Sequence, residues 1–469
     1  MLIANRFRWA VCQLDALENC LEYRTLQNAL ASLPKTLDET YDRILRGIPE
    51  EHKQNATRIL QFLTYSERPL RIEEAVDAIV VDVEADQHFN PKYRMPDPHE
   101  ILCYCSSLVV VVPTKEHVYF DDNKPVELQL AHLSVKEYLT SNRLDKDIAQ
   151  KFQEITAKTT IAIVCLAYLS HIDVKLPTKE IRQRFPLAQY SARFWMAYAA
   201  VAESKDETLQ GFIRKFFCYH KNSYTNCYNL YSLDQLWNDK PASALYYASF
   251  GGLVNTVEYL LSQGADVNVQ GGHHRNALQV ASTRGNDKIV ELLLSNGADV
   301  NAEGGFYGNA LQAASREGHD KIVELLLSKG ADINAQGGRN GNALQAASGQ
   351  GHDTIVELLL SKGADVNAQD GYYGNALQAA SVEGHTKIVE LLLSKGADVN
   401  TQGGHYGNAL HGASRQGYDK IVELLLSKGA DVNAQGGPYG NALQRALRQG
   451  HDKIVDVTNL GLIRTKGIL

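Results

Sequence analysis

The sequence predicts a mainly α-helical fold in which a solenoid of about seven helical repeats follows a smaller domain of helices and two strands. The strongest observation is a strict 33-residue spacing of the string Asn-Ala-Leu, and Gly-Ala-Asp recurs with the same step. Periods of this length are typical of stacked repeats. The strings start at Asn276, Asn309, Asn342, Asn375, Asn408 and Asn441, and at Gly264, Gly297, Gly330, Gly363, Gly396 and Gly429.

The first elements predict a domain of three helices and a two-strand ribbon. Thr36 facing Glu39 forms a capping box at a helix start, a second helix spans about 51–65, and a third begins within 68–75. Two apolar stretches, 108–112 and 126–130, are typical of strands, and Ser134 facing Glu137 predicts another capped helix. Helices followed by such a ribbon suggest a winged helix. We expect His132 to be a packing residue at the end of a strand rather than a catalytic base.

Several strings of this half resemble the segment that follows the NACHT module in fungal NOD-like receptors. They are Phe7 to Leu14, Leu33 to Leu45, Ala131 to Leu139 and Phe185 to Tyr190. The resemblance implies the end of a NACHT module at 1–34, a winged-helix domain of the kind also named for inositol-deacylase relatives at 35–145, and a helical connector at 146–239. The nucleotide site of that family is missing, because the chain contains no Gly-Lys pair for a P-loop and no Gly-x-Ser-x-Gly elbow.

One repeat, 309–334, reads as two short helices and a loop. The alanine-rich run Ala310 to Ser315 favours a first helix, which Gly318 ends. Asp320 is expected to be the N-cap of a second helix whose apolar face runs from Ile322 to Leu327. Gly330 lies where a helix closes through a left-handed residue. Ordering 33 residues costs on the order of 50 kcal/mol, so a single repeat must stack on its neighbours.

The period, the Gly-Ala-Asp-Val-Asn string and the helix pair resemble the ankyrin repeat. The resemblance covers about 240–455 and implies an ankyrin-repeat solenoid at 240–469. The usual Thr-Pro-Leu-His of that family is Asn-Ala-Leu-Gln here, so we expect a hydrogen-bonding layer that is insensitive to pH between about 5 and 8, except at His411. After Asp456 the pattern is lost, and a capping device and a disturbed reading frame remain equally open.

Composition narrows the class of function and the compartment. The net charge of -7, with both signs interspersed, gives no basic face for nucleic acid. The apolar run 159–170 is too short to cross a membrane and reads as a buried helix. No secretory signal is apparent, so we expect a cytoplasmic protein, with the nucleus also open, and the seven cysteines are expected to be buried free thiols. We expect no cofactor and no small-molecule substrate.

Four histidines also follow the 33-residue period, each after a glycine. We expect them to be structural rather than metal ligands, since no second ligand shares their spacing. They are His319, His352, His385 and His451.

The repeats differ from each other at two places, which we take as the candidate partner-binding site. Aromatic, histidine and arginine side chains dominate both, and such side chains are common at interface hot spots. By resemblance, the first place lies on projecting finger loops and the second borders the concave face of the array. The candidates are His273, His274, Arg275, Phe306, Tyr307, Arg339, Tyr372, Tyr373, His405, Tyr406 and Tyr439 on the loops, and Arg284, Arg316 and Arg415 at the ends of first helices.

These observations favour a protein-binding module of a NOD-like or STAND signalling receptor, of the innate-immunity or incompatibility type, with no catalytic activity of its own. Two other readings stay open: a fragment of a full-length NACHT NTPase, and a winged-helix DNA-binding regulator. We expect that replacing Tyr372 and Tyr373 by alanine weakens partner binding without changing the melting temperature.

Overall fold

The computed structural model describes residues 22–24, 27–28, 33–105, 107–114, 126–231, 242–435, 440–456 and 458. The chain divides into two compact units, Met1–Leu236 and Trp237–Leu469. The string from Phe7 to Leu14, most of the expected NACHT remnant and the expected boundary at 239/240 lie outside the described residues.

Three helices open the first unit: α1 (Leu37–Gly47), α2 (Glu50–Tyr65) and α3 (Ile72–Val80). Thr36 caps α1 as predicted, because its hydroxyl accepts a hydrogen bond of 3.2 Å from the backbone N–H of Glu39. The carboxylate of Glu39 reaches back one residue further than a capping box requires and accepts a bond of 2.8 Å from the N–H of Lys35. The first contact satisfies one of the N–H groups that the start of a helix leaves without partners, and the second ties the chain before the N-cap to the helix.

The sheet of this unit has three strands rather than the two expected. They are β1 (Leu70–Arg71), β2 (Val109–Pro113) and β3 (Val126–Leu130), in the order β1-β3-β2, and both pairings are antiparallel. The third helix begins within 68–75 as predicted, at Ile72, but the short strand β1 precedes it. Leu70 pairs with Leu128, and both side chains are buried.

The capping box expected at Ser134 and Glu137 is wrong. Helix α4 (Leu133–Leu139) has His132 as its N-cap, and the Nδ1 atom of this histidine accepts a hydrogen bond of 3.1 Å from the N–H of Ser134. The Ser134 hydroxyl is buried inside the domain, 2.8 Å from the hydroxyl of Tyr41 and 2.7 Å from Nδ1 of His132. His132 is therefore a helix cap and not a packing residue at a strand end.

Among the residues that the structure describes, six further α-helices follow in this unit: α5 (Lys146–Lys151), α6 (Glu154–His171), α7 (Thr178–Arg184), α8 (Ala188–Ala202), α9 (Glu207–Tyr219) and α10 (Lys221–Tyr231). Helix α6 contains the apolar run 159–170 and is largely buried, as predicted. Among the described residues, no helix is both long and apolar enough to span a bilayer.

Buried thiols account for only part of the cysteines. Cys105, Cys165 and Cys227 are buried and free, and burial raises the pKa of each thiol to about 12. Cys103 and Cys218 are also free but exposed, against the expectation. Cys12 and Cys20 lie outside the described residues.

The second unit is a stack of helix pairs, which confirms the predicted solenoid of about seven repeats. The first helices are α11 (Ala244–Gly251), α13 (Ala277–Arg284), α15 (Ala310–Glu317), α17 (Ala343–Gln350), α19 (Ala376–Glu383), α21 (Ala409–Gln416) and α23 (Ala442–Gln449). The second helices are α12 (Val254–Ser262), α14 (Asp287–Ser295), α16 (Asp320–Ser328), α18 (Asp353–Ser361), α20 (Thr386–Ser394) and α22 (Asp419–Ser427). After Asp456 only Thr458 is described.

Local signals within a repeat act largely as predicted. The side chain of Asn309 caps α15 by accepting a bond of 2.9 Å from the N–H of Gln312. Gly318 and Gly330 have φ values of +81° and +87°, the left-handed conformation that closes each helix. Asp320 is the first residue of α16 and not its N-cap, because His319 occupies the cap position.

Three sets of side chains bond each repeat to its neighbour. The amide of Gln312 donates to the carbonyls of Ala335 (2.9 Å) and Gly341 (2.7 Å), and Nε2 of His319 lies 3.1 Å from the carbonyl oxygen of Thr283. Asn301 accepts a bond of 2.8 Å from the N–H of Asp332. The periodic histidines are therefore structural links. Nearest-neighbour bonds of this kind give an array its stability.

At His411 the imidazole replaces the glutamine of the other repeats. Its Nε2 lies 2.9 Å from the carbonyl oxygen of Ala434. Burial lowers the pKa of His411, so the neutral ring is favoured in the folded protein. That this position is the pH-sensitive one in the glutamine layer stays a prediction.

Candidate partner-binding surface

The loop before Asn-Ala-Leu, which we call a finger loop, is closed by its own backbone in four of the five finger loops that the structure fully describes. In the loop 304–308 the N–H of Gly304 donates to the carbonyl of Gly308 over 2.7 Å, and loops 271–275, 370–374 and 403–407 close the same way. The loop 337–341 differs, because the N–H of Gly337 donates to the carboxylate of Asp370 in the next loop (2.8 Å). These five fingers are thus short, ordered turns rather than free tips.

Consecutive finger loops also bond to each other through their backbones. The N–H of Arg339 donates to the carbonyl of Phe306 (3.1 Å), and that of Tyr372 donates to the carbonyl of Arg339 (3.1 Å). The N–H of His405 continues the series with a bond of 2.9 Å to the carbonyl of Tyr372. Such bonds hold chains about 4.8 Å apart in a sheet. Side chains at equivalent positions of neighbouring fingers are therefore brought to stacking distance.

The first of the two variable positions forms a continuous stack, which we call the outer row: His273, Phe306, Arg339, Tyr372 and His405. The rings of His273 and Phe306 are stacked with centroids 5.5 Å apart, and those of Tyr372 and His405 with centroids 5.1 Å apart. The guanidinium of Arg339 fills the middle, 5.7 Å from the ring centroid of Phe306 and 5.9 Å from that of Tyr372. Stacked rings and cation–π pairs both stabilise such an arrangement.

The second variable position gives an inner row: His274, Tyr307, Asn340, Tyr373 and Tyr406. His274 stacks on Tyr307 at 5.5 Å, and Tyr373 stacks on Tyr406 at 6.4 Å, with interplanar angles of 14° and 10°. The hydroxyls of Tyr307 and Tyr373 donate to the carboxylates of Glu317 (3.2 Å) and Glu383 (2.7 Å) at the ends of their own first helices. The row is thereby tied to the helices.

Arginines at the ends of first helices cover rings. Arg316 lies 5.4 Å from the ring centroid of Tyr307, and Arg415 lies 5.4 Å from that of Tyr406. Arg284 differs, because its guanidinium lies 4.8 Å from the ring of Phe250 in the first repeat. The two predicted groups of candidates, on the loops and at the helix ends, are thus one contiguous surface.

Burial and neighbouring charges shift the pKa of several groups on this surface. Burial, with His273 and Arg284 nearby, lowers the pKa of His274 to about 4, so the ring is neutral at physiological pH. Burial and the carboxylate of Glu317 raise the pKa of Tyr307, and burial with Glu383 raises that of Tyr373. These tyrosines are therefore neutral hydrogen-bond donors at any physiological pH.

Most predicted candidates are brought together, although not all are exposed. Arg275, Arg284, Arg339, Tyr372 and His405 are exposed. The remaining described candidates are half-buried in the stacks: His273, His274, Phe306, Tyr307, Tyr373, Tyr406, Arg316 and Arg415. Tyr439 lies outside the described residues.

Arg275 stands where the other repeats have glycine, and it adopts a φ of +78°. Its side chain lies over Gly304 of the next finger loop. A left-handed conformation is uncommon for arginine. Arg275 thus differs from the other candidates by carrying backbone strain as well as an exposed charge.

Sequence reasoning did not select four residues that complete this surface: Phe250, Glu317, Asn340 and Glu383. The glutamates belong to the variable helix ends, and the signal that could have selected them is a carboxylate ten residues after a tyrosine, which recurs in the third and fifth repeats. Phe250 lies in the divergent first repeat, where the period gives no guide.

The described residues contain no group of three or more His, Cys, Asp or Glu side chains suited to a metal ion.

A family model described as "Ankyrin repeats (3 copies)" matches residues 198–304, 245–337, 303–370 and 344–436, which together cover about half of the chain. The chain belongs to the ankyrin-repeat proteins. A second model, "GPI inositol-deacylase, winged helix domain", matches residues 41–151, so the ankyrin array follows a winged-helix domain. Ankyrin repeats indicate a protein–protein interaction module.

Two known proteins are similar to parts of this ankyrin protein. "Azaphilone pigments biosynthesis cluster protein L" of Monascus ruber is 36% identical over 273 residues, which are 53% of this chain and 57% of that protein. The chain thus spans little more than half the length of this relative. The solved ankyrin repeat domain of human ASB11 is 25% identical with a TM-score of 0.41, and the match covers 45% of this chain and 96% of that domain.

Proposed function

We propose that the ankyrin array binds a partner protein through the outer row, the inner row and the arginines at the helix ends. The observation that carries the proposal is the contrast between a nearly identical scaffold and different planar side chains at every finger. A scaffold alone needs no such variety. Tyrosine, histidine and arginine offer large contact area at low entropic cost, which favours them at binding hot spots.

The exposed part of the outer row is the expected centre of contact. Arg339, Tyr372 and His405 are exposed, and Tyr372 has 38% of its surface open to solvent. Their positions are fixed by the backbone bonds between fingers, so little conformational entropy is lost on binding. A pre-ordered surface of this kind suits reversible recognition of a folded protein or an extended peptide.

We further propose that the chain is the recognition part of a NOD-like signalling receptor in the cytoplasm and does not turn over a substrate itself. The strings of the first unit support the receptor assignment by resemblance, and the winged-helix domain upstream of the repeats is in keeping with it. The absence of a Gly-Lys pair and of a Gly-x-Ser-x-Gly elbow from the sequence supports the lack of turnover. ATP hydrolysis by the purified chain would contradict this part.

A matched pair of charge reversals tests the binding surface. Arg339→Glu changes the exposed middle of the outer row, and Lys321→Glu makes the same change in charge on the exposed second helix α16. Proteins captured by the full chain would be identified and purified, and their affinity measured by titration calorimetry. We expect Arg339→Glu to weaken binding at least tenfold and Lys321→Glu to leave it unchanged. Equal effects of the two variants would contradict the finger surface.

A further inference from the structure

The inner row is interrupted at the fourth repeat, and only there among the described finger loops. Asn340 occupies the position that carries a ring in the loops on either side, at Tyr307 and Tyr373. The outer row has no such break, because the guanidinium of Arg339 lies within 6 Å of the rings on both sides, at 5.7 and 5.9 Å. One planar group is thus missing from an otherwise complete pair of rows.

The same repeat also lacks a side chain at the end of its first helix. The equivalent positions hold Thr283, Arg316, Val382 and Arg415, whereas the fourth repeat has Gly349. A β-carbon at Gly349 would meet the ring of Tyr373 at 3.5 Å as its nearest neighbour. The fourth repeat therefore has no large side chain beside Tyr373, because position 340 holds an asparagine and position 349 a glycine.

Two tyrosines of the inner row show what surrounds a ring at such a position. Tyr307 lies between the ring of His274 and the guanidinium of Arg316, and Tyr406 lies between Tyr373 and Arg415. Arg316 reaches toward the fourth repeat, since it also donates to Oδ1 of Asn340 (3.3 Å). The position beside Tyr373 is therefore covered in the unbound chain by the guanidinium of Arg316, where a ring would continue the row. At both equivalent places the side chain between the neighbouring ring and the arginine is a tyrosine.

We propose that the inner-row position beside Tyr373, which Arg316 covers in the unbound chain, is a subsite for an aromatic side chain of the partner protein. The inserted ring would stack on Tyr373 and receive the guanidinium of Arg316 on its other face, which restores the row. Neighbouring inner-row rings have centroids 5.5 and 6.4 Å apart, which is the spacing that a ring at the position of Asn340 would continue. This inference rests on the proposed function and names the chemistry of the group that is recognised.

Arg316 covers the subsite in the unbound chain and must move when a ring enters. Asn340 beneath it is only 6% exposed. The Arg316 contacts with Asn340 and Glu317 are both 3.3 Å long, and its side chain remains 27% exposed. A partly exposed arginine held by long bonds can change rotamer at low cost, so the subsite opens without a change in the backbone.

The test selects peptides with a random heptapeptide phage library on the full chain and measures their affinities by fluorescence anisotropy. We expect the selected peptides to share one aromatic residue, whose replacement by leucine weakens binding at least tenfold. Asn340→Tyr places a ring of the chain itself in the row and should weaken binding of the aromatic peptides to the same extent. Replacing the aromatic residue of the peptide by leucine should then cause no further loss of affinity. Gly349→Arg, which restores the arginine of the other repeats, serves as a second variant. Lys321→Tyr adds a tyrosine on the exposed second helix α16, outside the two rows, and is the matched control.

The outcomes separate this inference from the proposed function. Peptides that bind equally well with leucine, or that bind Asn340→Tyr undiminished, overturn the aromatic subsite while leaving partner binding intact. A library from which the chain enriches no peptide that depends on Arg339 overturns both. Loss of the aromatic requirement in Asn340→Tyr and in Gly349→Arg, but not in Lys321→Tyr, supports the subsite.

Discussion

The side chain of Val382 occupies the space in which a β-carbon of Gly412 would lie, since its Cγ2 atom is 2.5 Å from that position. Val382 lies in the last turn of the first helix of the fifth repeat, and Gly412 lies in the first helix of the sixth. The equivalents of Gly412 in the third, fourth and fifth repeats are Ala313, Ala346 and Ala379. The glycine thus compensates for a bulky neighbour.

From this pair we predict that Gly412→Ala destabilises the array, although glycine to alanine in a helix normally stabilises. The overlap with Val382 should cost about 1–3 kcal/mol, as overpacking does. Gly349→Ala, whose β-carbon meets nothing closer than 3.5 Å, is the control and should gain up to about 1 kcal/mol. Urea unfolding measures both. Combining Gly412→Ala with Val382→Ala should remove the penalty, and strict additivity would contradict the proposed contact.

Arg275→Gly should stabilise the array by about 1 kcal/mol, because it relieves a left-handed arginine. The φ of +78° at Arg275 matches the values of +97° and +82° at the equivalent Gly308 and Gly341. Gly308→Ala provides the opposite change, since its β-carbon would lie 1.9 Å from Oε1 of Gln312. We expect thermal melts to move up for the first variant and down for the second. A fall in stability for Arg275→Gly would show that its side-chain contacts outweigh the strain.

A series of buried serines lacks hydrogen-bond partners for its hydroxyl oxygens. Ser315, Ser348 and Ser381 are fully buried in successive first helices. A buried hydroxyl without a partner costs about 1–3 kcal/mol, so each Ser→Ala replacement should be neutral or stabilising. Ser427→Ala is the control, because that exposed hydroxyl bonds to the carbonyl of Leu424 (2.6 Å). Strong destabilisation by Ser348→Ala in calorimetry would reveal a hydrogen bond to the hydroxyl.

Stability should fall as the pH drops below about 6.5. The pKa of His274 is about 4 in the folded protein, against 6.5 for an unperturbed histidine, so the unfolded chain takes up the proton first. The loss begins near pH 6.5, reaches up to about 2 kcal/mol at pH 5 and is complete below about 4. His274→Tyr, the residue found at Tyr307, Tyr373 and Tyr406, should reduce this pH dependence. His411→Gln should reduce it further, because burial lowers the pKa of His411 as well. Unaltered melting curves in the double variant would count against both assignments.

The stacking revises what is expected of the finger tyrosines. Tyr373 stacks on Tyr406 and bonds to Glu383, so Tyr373→Ala should lower the melting temperature and cost about 1–3 kcal/mol. Tyr373→Phe keeps the ring and should lose only the hydrogen bond, about 1 kcal/mol. The expectation that both tyrosines can be truncated without thermal cost is therefore replaced. A melting temperature unchanged in Tyr373→Ala would restore it.

The repeat fold was predictable from its periodicity, because the residues that start and end each helix recur in every repeat. The N-cap of Asn309 and the closing turns at Gly318 and Gly330 all follow from residue type alone. Single-copy signals were less reliable. Ser134 looked like a helix cap, yet the imidazole of His132 takes that role, since a ring nitrogen can accept the same N–H. Strand β1 was missed because two residues, Leu70 and Arg71, are too few to show a pattern.

The candidate surface was predictable in its residues but not in its arrangement. Variation between repeats identified the aromatic and arginine positions. That Arg339 continues a row of rings depends on the backbone bonds between fingers, which no single repeat reveals. The interruption at Asn340 has meaning only once the neighbours on both sides are seen to stack.

Each finger contributes one residue to each row, and that residue lies beside its equivalent in the next finger. The order of side chains along each row is therefore the order of the repeats in the sequence. Loss during recombination of the 33-residue period that carries Arg339 and Asn340 would bring Tyr372 next to Phe306 and Tyr373 next to Tyr307. The interruption of the inner row would then disappear. Duplication of the fourth period would instead create two gaps. Unequal crossing-over could thus alter what the array recognises in discrete steps, while every helix pair keeps an intact neighbour on which to fold.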